Sequence, residues 1–180
     1  MIKKEFFQRV SGGGRDVLAE FTGKLEELEI PYCVIGGLAV NAYADPVVSL
    51  DLDVVVAAER IEGILRELRC SFKVREFPNS INLTSPGSDL RIQIQTDSRY
   101  QEFIGRARRK DVLGYRIPVA RIEDVLRGKV WAALDESRRP SKRQKDLSDI
   151  LRLLEARTEL SSILPAALKK KLGLREPSVR

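Results

Sequence analysis

Between Arg15 and Glu29, Leu18, Phe21, Leu25 and Leu28 recur at helical spacing and predict an amphipathic helix. The apolar run Tyr32–Ile35 then predicts a short buried strand. Gly36 and Gly37 interrupt it, Leu38–Ala44 predicts a short helix, and Asp45-Pro46 closes that helix. Ser49–Val56 is the next strand. Glu59–Arg69 carries Ile61, Ile64, Leu65 and Leu68 on one helical face. The period then changes. Phe72–Glu76 and Ile81–Thr84 predict strands around Pro78-Asn79, Ser85–Asp89 a turn, and Leu90–Thr96 a half-buried strand that alternates apolar and polar.

Tyr100, Phe103, Ile104 and Ala107 predict a further helix, and Val112–Ala120 extended pieces about Gly114. The remainder reads as helical. Arg121–Leu134 places Ile122, Val125, Leu126, Val130 and Ala133 on one face, and Lys145–Ala156 does the same with Leu147, Ile150, Leu151 and Leu154. A last helix, Ala166–Leu172, follows Pro165. This order predicts an α/β (α+β) fold with a mixed sheet and flanking helices over residues 1–120. A C-terminal helical portion (121–172) and a loose tail (173–180) follow.

Composition narrows the chemistry. No apolar run among the 180 residues approaches the ~18 needed to span a membrane, and the N-terminus (MIKKEFFQRV) lacks a signal-like apolar stretch. A cytoplasmic protein with no membrane partner is expected. Cys33 and Cys70 lie in apolar surroundings and read as buried free thiols. There is no histidine, which excludes Ser–His and Cys–His catalysis, histidine bases and the usual zinc sites. Any catalysis must rest on carboxylates, lysines, backbone amides or a metal held by oxygen. The net charge of +6 and a pI of about 9.5 favour polyanionic partners. Arg138–Lys145 (RRPSKRQK) holds five cationic residues in eight and reads as either a solvated loop or a nucleic-acid contact.

Asp51 and Asp53 stand two apart in a hydrophobic strand, so their carboxylates share a face while Leu50, Leu52 and Val54 fill the other. Two like charges this close repel, and burial raises their pKa values. A divalent cation such as Mg²⁺ reverses the penalty, since it takes one or two carboxylates together with substrate phosphates. The segment before the pair is strand, Gly36-Gly37 turn and short helix. Glycines admit close approach, and the free amides at the start of a helix suit phosphate.

The stretch VIGGLAVNAYADPVVSLDLD resembles the nucleotidyltransferases of the DNA polymerase β-like superfamily, and more closely its small prokaryotic abortive-infection and toxin–antitoxin branch. Gly36-Gly37 stands at the glycine turn and SLDLD at the aspartate pair. Tyr115–Asp135 resembles the segment that opens the helical part, and Arg143–Leu153 its Lys-Asp-x-x-Asp helix, so the likeness covers about Ile30 to Leu154. The resemblance implies transfer of a nucleotidyl group from an NTP to a hydroxyl on RNA or protein. It implies Mg²⁺ or Mn²⁺ on Asp51 and Asp53, and a triphosphate on Gly36, Gly37 and the following amides, beginning at Leu38. A toxin–antitoxin role would bring an antitoxin or other protein partner.

Two departures stand out. Such enzymes use a third carboxylate from a neighbouring strand, and that position falls at Gln93, a neutral amide. Asp89 and Asp97 share its parity but lie roughly 13 Å away along a regular strand. Val47 replaces an often basic residue, while Ser49 keeps a small hydroxyl. In the helical part, Lys129 sits on an apolar stripe, where it either snorkels to water or points at phosphates. Asp146 and Asp149 share a helix face beside Lys145, either as dipole-favoured acids at a helix start or as groups that orient Lys145. Trp131 reads as core. Two functions stay open: a metal-dependent nucleotidyltransferase, and a catalytically silent module of the same fold that binds nucleotide, RNA or a protein.

Overall fold

The computed structural model describes residues 3–12 and 14–174. Most of the expected tail, residues 175–180, lies outside the described residues. Among the described residues, seven strands form one mixed sheet in the order β3-β4-β5-β2-β1-β7-β6. They are β1 (Tyr32–Ile35), β2 (Asp51–Val56), β3 (Lys73–Phe77), β4 (Ser80–Thr84), β5 (Arg91–Gln95), β6 (Arg108–Val112) and β7 (Tyr115–Val119). β2 runs antiparallel to β1 and parallel to β5, so it sits at the centre with Leu52, Val54, Val55 and Val56 fully buried. Ile92 and Ile94 of β5 and Leu83 of β4 continue the same core. These alternating or continuous β-branched and leucine positions make the strands, because each buries one or both faces.

The helices are α1 (Lys3–Val10), α2 (Val17–Glu27), α3 (Gly36–Val40), α4 (Ile61–Leu68), α5 (Glu102–Arg106), α6 (Ile122–Leu134), α7 (Pro140–Ala156) and α8 (Ala166–Lys171). Asp16 caps α2, its carboxylate accepting from the Ala19 N–H at 3.0 Å. The same carboxylate accepts from Gln8 and from the Tyr115 hydroxyl, which ties α1, α2 and β7 together. One cluster of buried side chains runs from Phe7 to Leu168 and includes Ile150, Leu153 and Leu154 of α7.

Several expectations need correction. α1 and β6 were not expected. α1 is a two-turn helix at the chain's start with Phe7 buried. β6 (RRKDV) is an edge strand with mostly exposed charged residues, so it has no apolar alternation to read. α3 begins at the glycines themselves, two residues earlier than predicted, because Gly36 takes a φ of +66° and turns the chain directly. α7 begins at Pro140 rather than Lys145. The basic run is therefore mostly helix, with Pro140 in the first turn where its missing N–H costs nothing. Asp146 and Asp149 consequently lie well inside α7, not at its N-terminus. Cys33 is buried as expected, but Cys70, just past α4, is exposed; both are free. No described helix is long and apolar enough to cross a membrane.

Ile150 is fully buried on α7 and joins that helix to the core. Ile150→Ala is expected to cost about 2–5 kcal/mol of stability in urea denaturation.

Candidate active site

The site begins with strand register. Ile35 pairs with Asp53 across β1 and β2. On the other side of β2, Asp51 pairs with Arg91 and Asp53 with Gln93 of β5. Asp51 and Asp53 are half-buried and share one face, alternating with fully buried Leu52 and Val54. Gly36 follows Ile35 directly, so its backbone passes over the Asp53 carboxylate. A Cβ at Gly36 would lie 2.0 Å from Asp53 Oδ2. A Cβ at Gly37 would lie 3.4 Å from Ser49 Oγ and 4.0 Å from Lys145 Nζ. Glycine is required at the first position by both its φ and this contact.

The two acids are treated differently. Arg91 donates to Asp51 Oδ1 from Nε at 2.9 Å and also from Nη2, and Lys142 Nζ lies 3.5 Å from Oδ2. Burial pushes the Asp51 pKa up, but Arg91, Lys142 and Lys145 outweigh it and hold the carboxyl below its ordinary value. The Asp53 carboxylate has no hydrogen bond or ion pair among the described residues. Burial raises its pKa, the Asp51 charge adds to the rise, and Lys129 only partly opposes them.

α6 and α7 close the cleft from the other side. Lys129 is 7% exposed, so its amine does not snorkel to water. Its Nζ donates to Asp146 Oδ1 at 3.0 Å and lies 2.7 Å from Asp149 Oδ2. Burial pulls the Lys129 pKa down, but the two carboxylates more than reverse that and keep the amine charged. Asp146 also accepts from Arg138 Nε at 2.7 Å, and Asp149 from Arg152 Nη1 at 2.8 Å. Arg152 then donates to Asn41 at 2.8 Å and to the Asp45 carbonyl. Asn41 in turn holds both the N–H and the carbonyl of Val47. The network thus links α7 to the loop between α3 and β2.

A cleft of about 230 Å³ collects these groups. It is lined by Gly37, Gln93 and three carboxylates (Asp51, Asp53, Asp146), against six cations: Arg91, Lys129, Arg138, Arg139, Lys142 and Lys145. The side chains of Arg139 and Lys145 make no hydrogen bond or ion pair among the described residues. Such a surplus of free positive charge suits a polyanion. A larger cavity of about 650 Å³ adjoins it, sharing Gln93 and Arg138 and reaching Trp131. Trp131 stacks on Phe103 with centroids 5.9 Å apart and carries the Arg99 guanidinium 4.8 Å from its ring centroid.

Of the sequence-predicted residues, Gly36, Gly37, Asp51, Asp53, Gln93, Lys129, Lys145 and Asp146 line this cleft or the smaller cavity joined to it. Ser49 is buried beside Gly37, its hydroxyl donating to the Asp51 carbonyl at 3.4 Å. Asp149 stands behind Lys129 rather than on the wall. The Leu38 side chain is fully buried in the core, which leaves only its backbone amide for a ligand. Asp97 caps the turn after β5 and is bound by Arg99, and among the described residues it is Gln93, not an acid, that β5 places opposite Asp53. Sequence analysis flags the basic run but does not place Arg138, Arg139 or Lys142 in the site, nor Arg91. Arg91 had a signal, since its parity with Gln93 on β5 places it on the aspartate face.

Residues present fit a divalent cation: Asp53 is an unpartnered, half-buried carboxylate beside a second one. Among the described residues there is no cluster of three or more acidic, cysteine or histidine ligands.

Two outcomes follow from this geometry. Gly36→Ala is expected to lower stability by about 1–3 kcal/mol in urea denaturation, through strain at positive φ and displacement of Asp53. Asp53→Asn is expected to raise stability at pH 7 by about 0.5–2 kcal/mol, because it removes an unpaired charge that burial penalises. The native state keeps the Asp53 proton to higher pH than the unfolded chain. This group's contribution therefore falls as pH rises from the ordinary 3.8 through the raised value, and the variant loses that slope in melting curves taken against pH.

No family model and no curated protein matches the chain. Solved structures do. ANT(2")-Ia in complex with adenylyl-2"-tobramycin aligns with a TM-score of 0.62 at 16% identity, over 86% of this chain and 96% of that one. The lincosamide antibiotic adenylyltransferase LnuA, lincomycin-bound, aligns with a TM-score of 0.55 at 12% identity, over 78% and 98%. An antigenic nucleotidyltransferase-like protein from Paracoccidioides brasiliensis aligns with a TM-score of 0.55 at 21% identity, over 92% and 88%. At these identities the likeness is one of fold: this chain shares the nucleotidyltransferase fold of these solved structures.

Proposed function

We propose that the cleft binds a nucleoside triphosphate and transfers its nucleotidyl group to an acceptor hydroxyl, releasing pyrophosphate. The observation that carries this reading is the meeting of an unpartnered Asp53, its neighbour Asp51 and six cations in one cleft under the Gly36-Gly37 turn. Lys145, Lys142, Arg138 and Arg139 hold the phosphates. Gly37 leaves room for them to approach the turn, with Lys145 already above it. Asp51 and Asp53 would hold Mg²⁺ or Mn²⁺, which when bound neutralises phosphate charge and activates the attacking oxygen. Lys129 keeps a fixed positive charge behind Asp53, and Asp146 and Asp149 hold it in place. The adjoining cavity, of ligand-sized volume, is the acceptor side. The relatives in fold named above, two of them described with antibiotic products or ligands, support transfer chemistry in general. An RNA or protein acceptor, an antitoxin-like partner and a defence role rest on the sequence resemblance alone.

Gln93 favours a second reading. A neutral amide beside Asp53 cannot take the acceptor's proton, and general-base help is worth about 10²–10⁴-fold in rate. The same cleft without that help is a nucleotide-binding module.

Incubation with α-labelled NTPs, Mg²⁺ or Mn²⁺, and RNA, protein or small polyhydroxylated acceptors separates the two. Label transferred by the parent and lost in Asp51→Ala/Asp53→Ala supports the transferase. Nucleotide-dependent thermal stabilisation without label supports the binding module. Neither label nor stabilisation removes both.

A further inference from the structure

We infer that the cleft takes a single divalent cation, with the Arg91 guanidinium bridging Asp51 to a substrate phosphate in the place of a second one. The inference rests on the triphosphate-binding reading of the same cleft.

Strand pairing sets the arrangement. The face that carries Asp51 and Asp53 on β2 continues on β5 as Arg91 and Gln93, each directly opposite one acid. Where a third acid would bind a second ion, the structure has a neutral amide and a cation. Arg91 holds Asp51 Oδ1 with two of its N–H groups, at 2.9 Å from Nε and also from Nη2. A guanidinium has five N–H donors in a planar fork, so three remain for a phosphate. Its side chain is 48% exposed and lines the cleft, where a phosphate can reach it. Holding a carboxylate and a phosphate together is what a bridging metal ion does.

Charge leads to the same count. Two carboxylates, one guanidinium and one divalent ion carry one net positive charge. Three carboxylates with two divalent ions carry the same charge. Asp146, the third carboxylate of the wall, is already held by Lys129 and Arg138 and so does not serve a second ion. A second divalent ion here would face a wall with six cations and only Asp53 free of them. At close range in a partly dehydrated cleft such an excess is costly. Asp53, unpartnered, is where the single ion gains most.

The test counts ions rather than turnover. The full chain is mixed with an equal amount of α,β-methylene-ATP, and bound Mn²⁺ is counted by electron paramagnetic resonance and equilibrium dialysis. One Mn²⁺ per chain is expected; two overturns the inference and leaves triphosphate binding standing. Arg91→Met is expected to weaken binding of the analogue about tenfold, and unchanged affinity overturns the bridging role. Arg91→Met/Gln93→Asp, checked for folding by circular dichroism and melting, is expected to bind two Mn²⁺. A folded double variant that still binds one shows that Arg91 and Gln93 do not set the count. If the parent binds no analogue with or without Mn²⁺, the triphosphate reading fails, and this inference with it.

Discussion

The contact between the Gly36 backbone and the Asp53 carboxylate sets the geometry of everything around it. β1 and β2 pair so that Asp53 lies opposite the last residue of β1, and the chain must turn away at once over that carboxylate. Only a residue without a Cβ can do so at this φ. Because the turn is immediate, α3 starts at the strand's end and delivers Gly37 next to Ser49 and Lys145. α3 then packs against α6 and α7, and this brings Lys129, Asp146 and the cationic first turns of α7 to the same cleft.

The electrostatics of the cleft divide into a closed part and an open part. Lys129, Asp146, Asp149, Arg138 and Arg152 satisfy one another, and this buried network braces α6 against α7 and the Asn41–Val47 loop. Buried pairs of this kind stabilise little by themselves but cost much to break, which favours one arrangement of the wall. Among the described residues the side chains of Asp53, Lys145 and Arg139 are left without partners. Unmet charge of both signs within one cleft is the feature that a metal–phosphate ligand would satisfy and that a purely structural role leaves unexplained.

Much of this was legible in the residues. The central strands and the amphipathic α4 and α6 follow from periodicity, and the pairing of a glycine turn with two parallel aspartates from strand alternation and spacing. The resemblance puts Gln93 at the third-acid position and alternation along β5 puts it on one face with Arg91; in the structure it pairs with Asp53. What could not be read depends on partners distant in sequence. Lys129 looks the same on a helical wheel whether it reaches water or two acids; Asp146 and Asp149 decide it. Arg91 is an ordinary polar strand residue until β5 lies beside β2. The start of α7 was misread because Arg138–Lys145 has the composition of a loop, while Pro140 in fact starts the helix. Cys70 differs from its reading because it falls in the turn just past α4, between Arg69 and Ser71, where its side chain is exposed while Leu68 and Phe72 are buried.

β6 presents Arg108, Arg109, Lys110 and Asp111, and β3 at the opposite border presents Lys73, Arg75 and Glu76, most of them solvent-facing. A foreign strand laid against either border would have to bring its backbone in among these long, hydrated side chains. Edge-to-edge pairing of copies into larger sheets is therefore disfavoured at both borders.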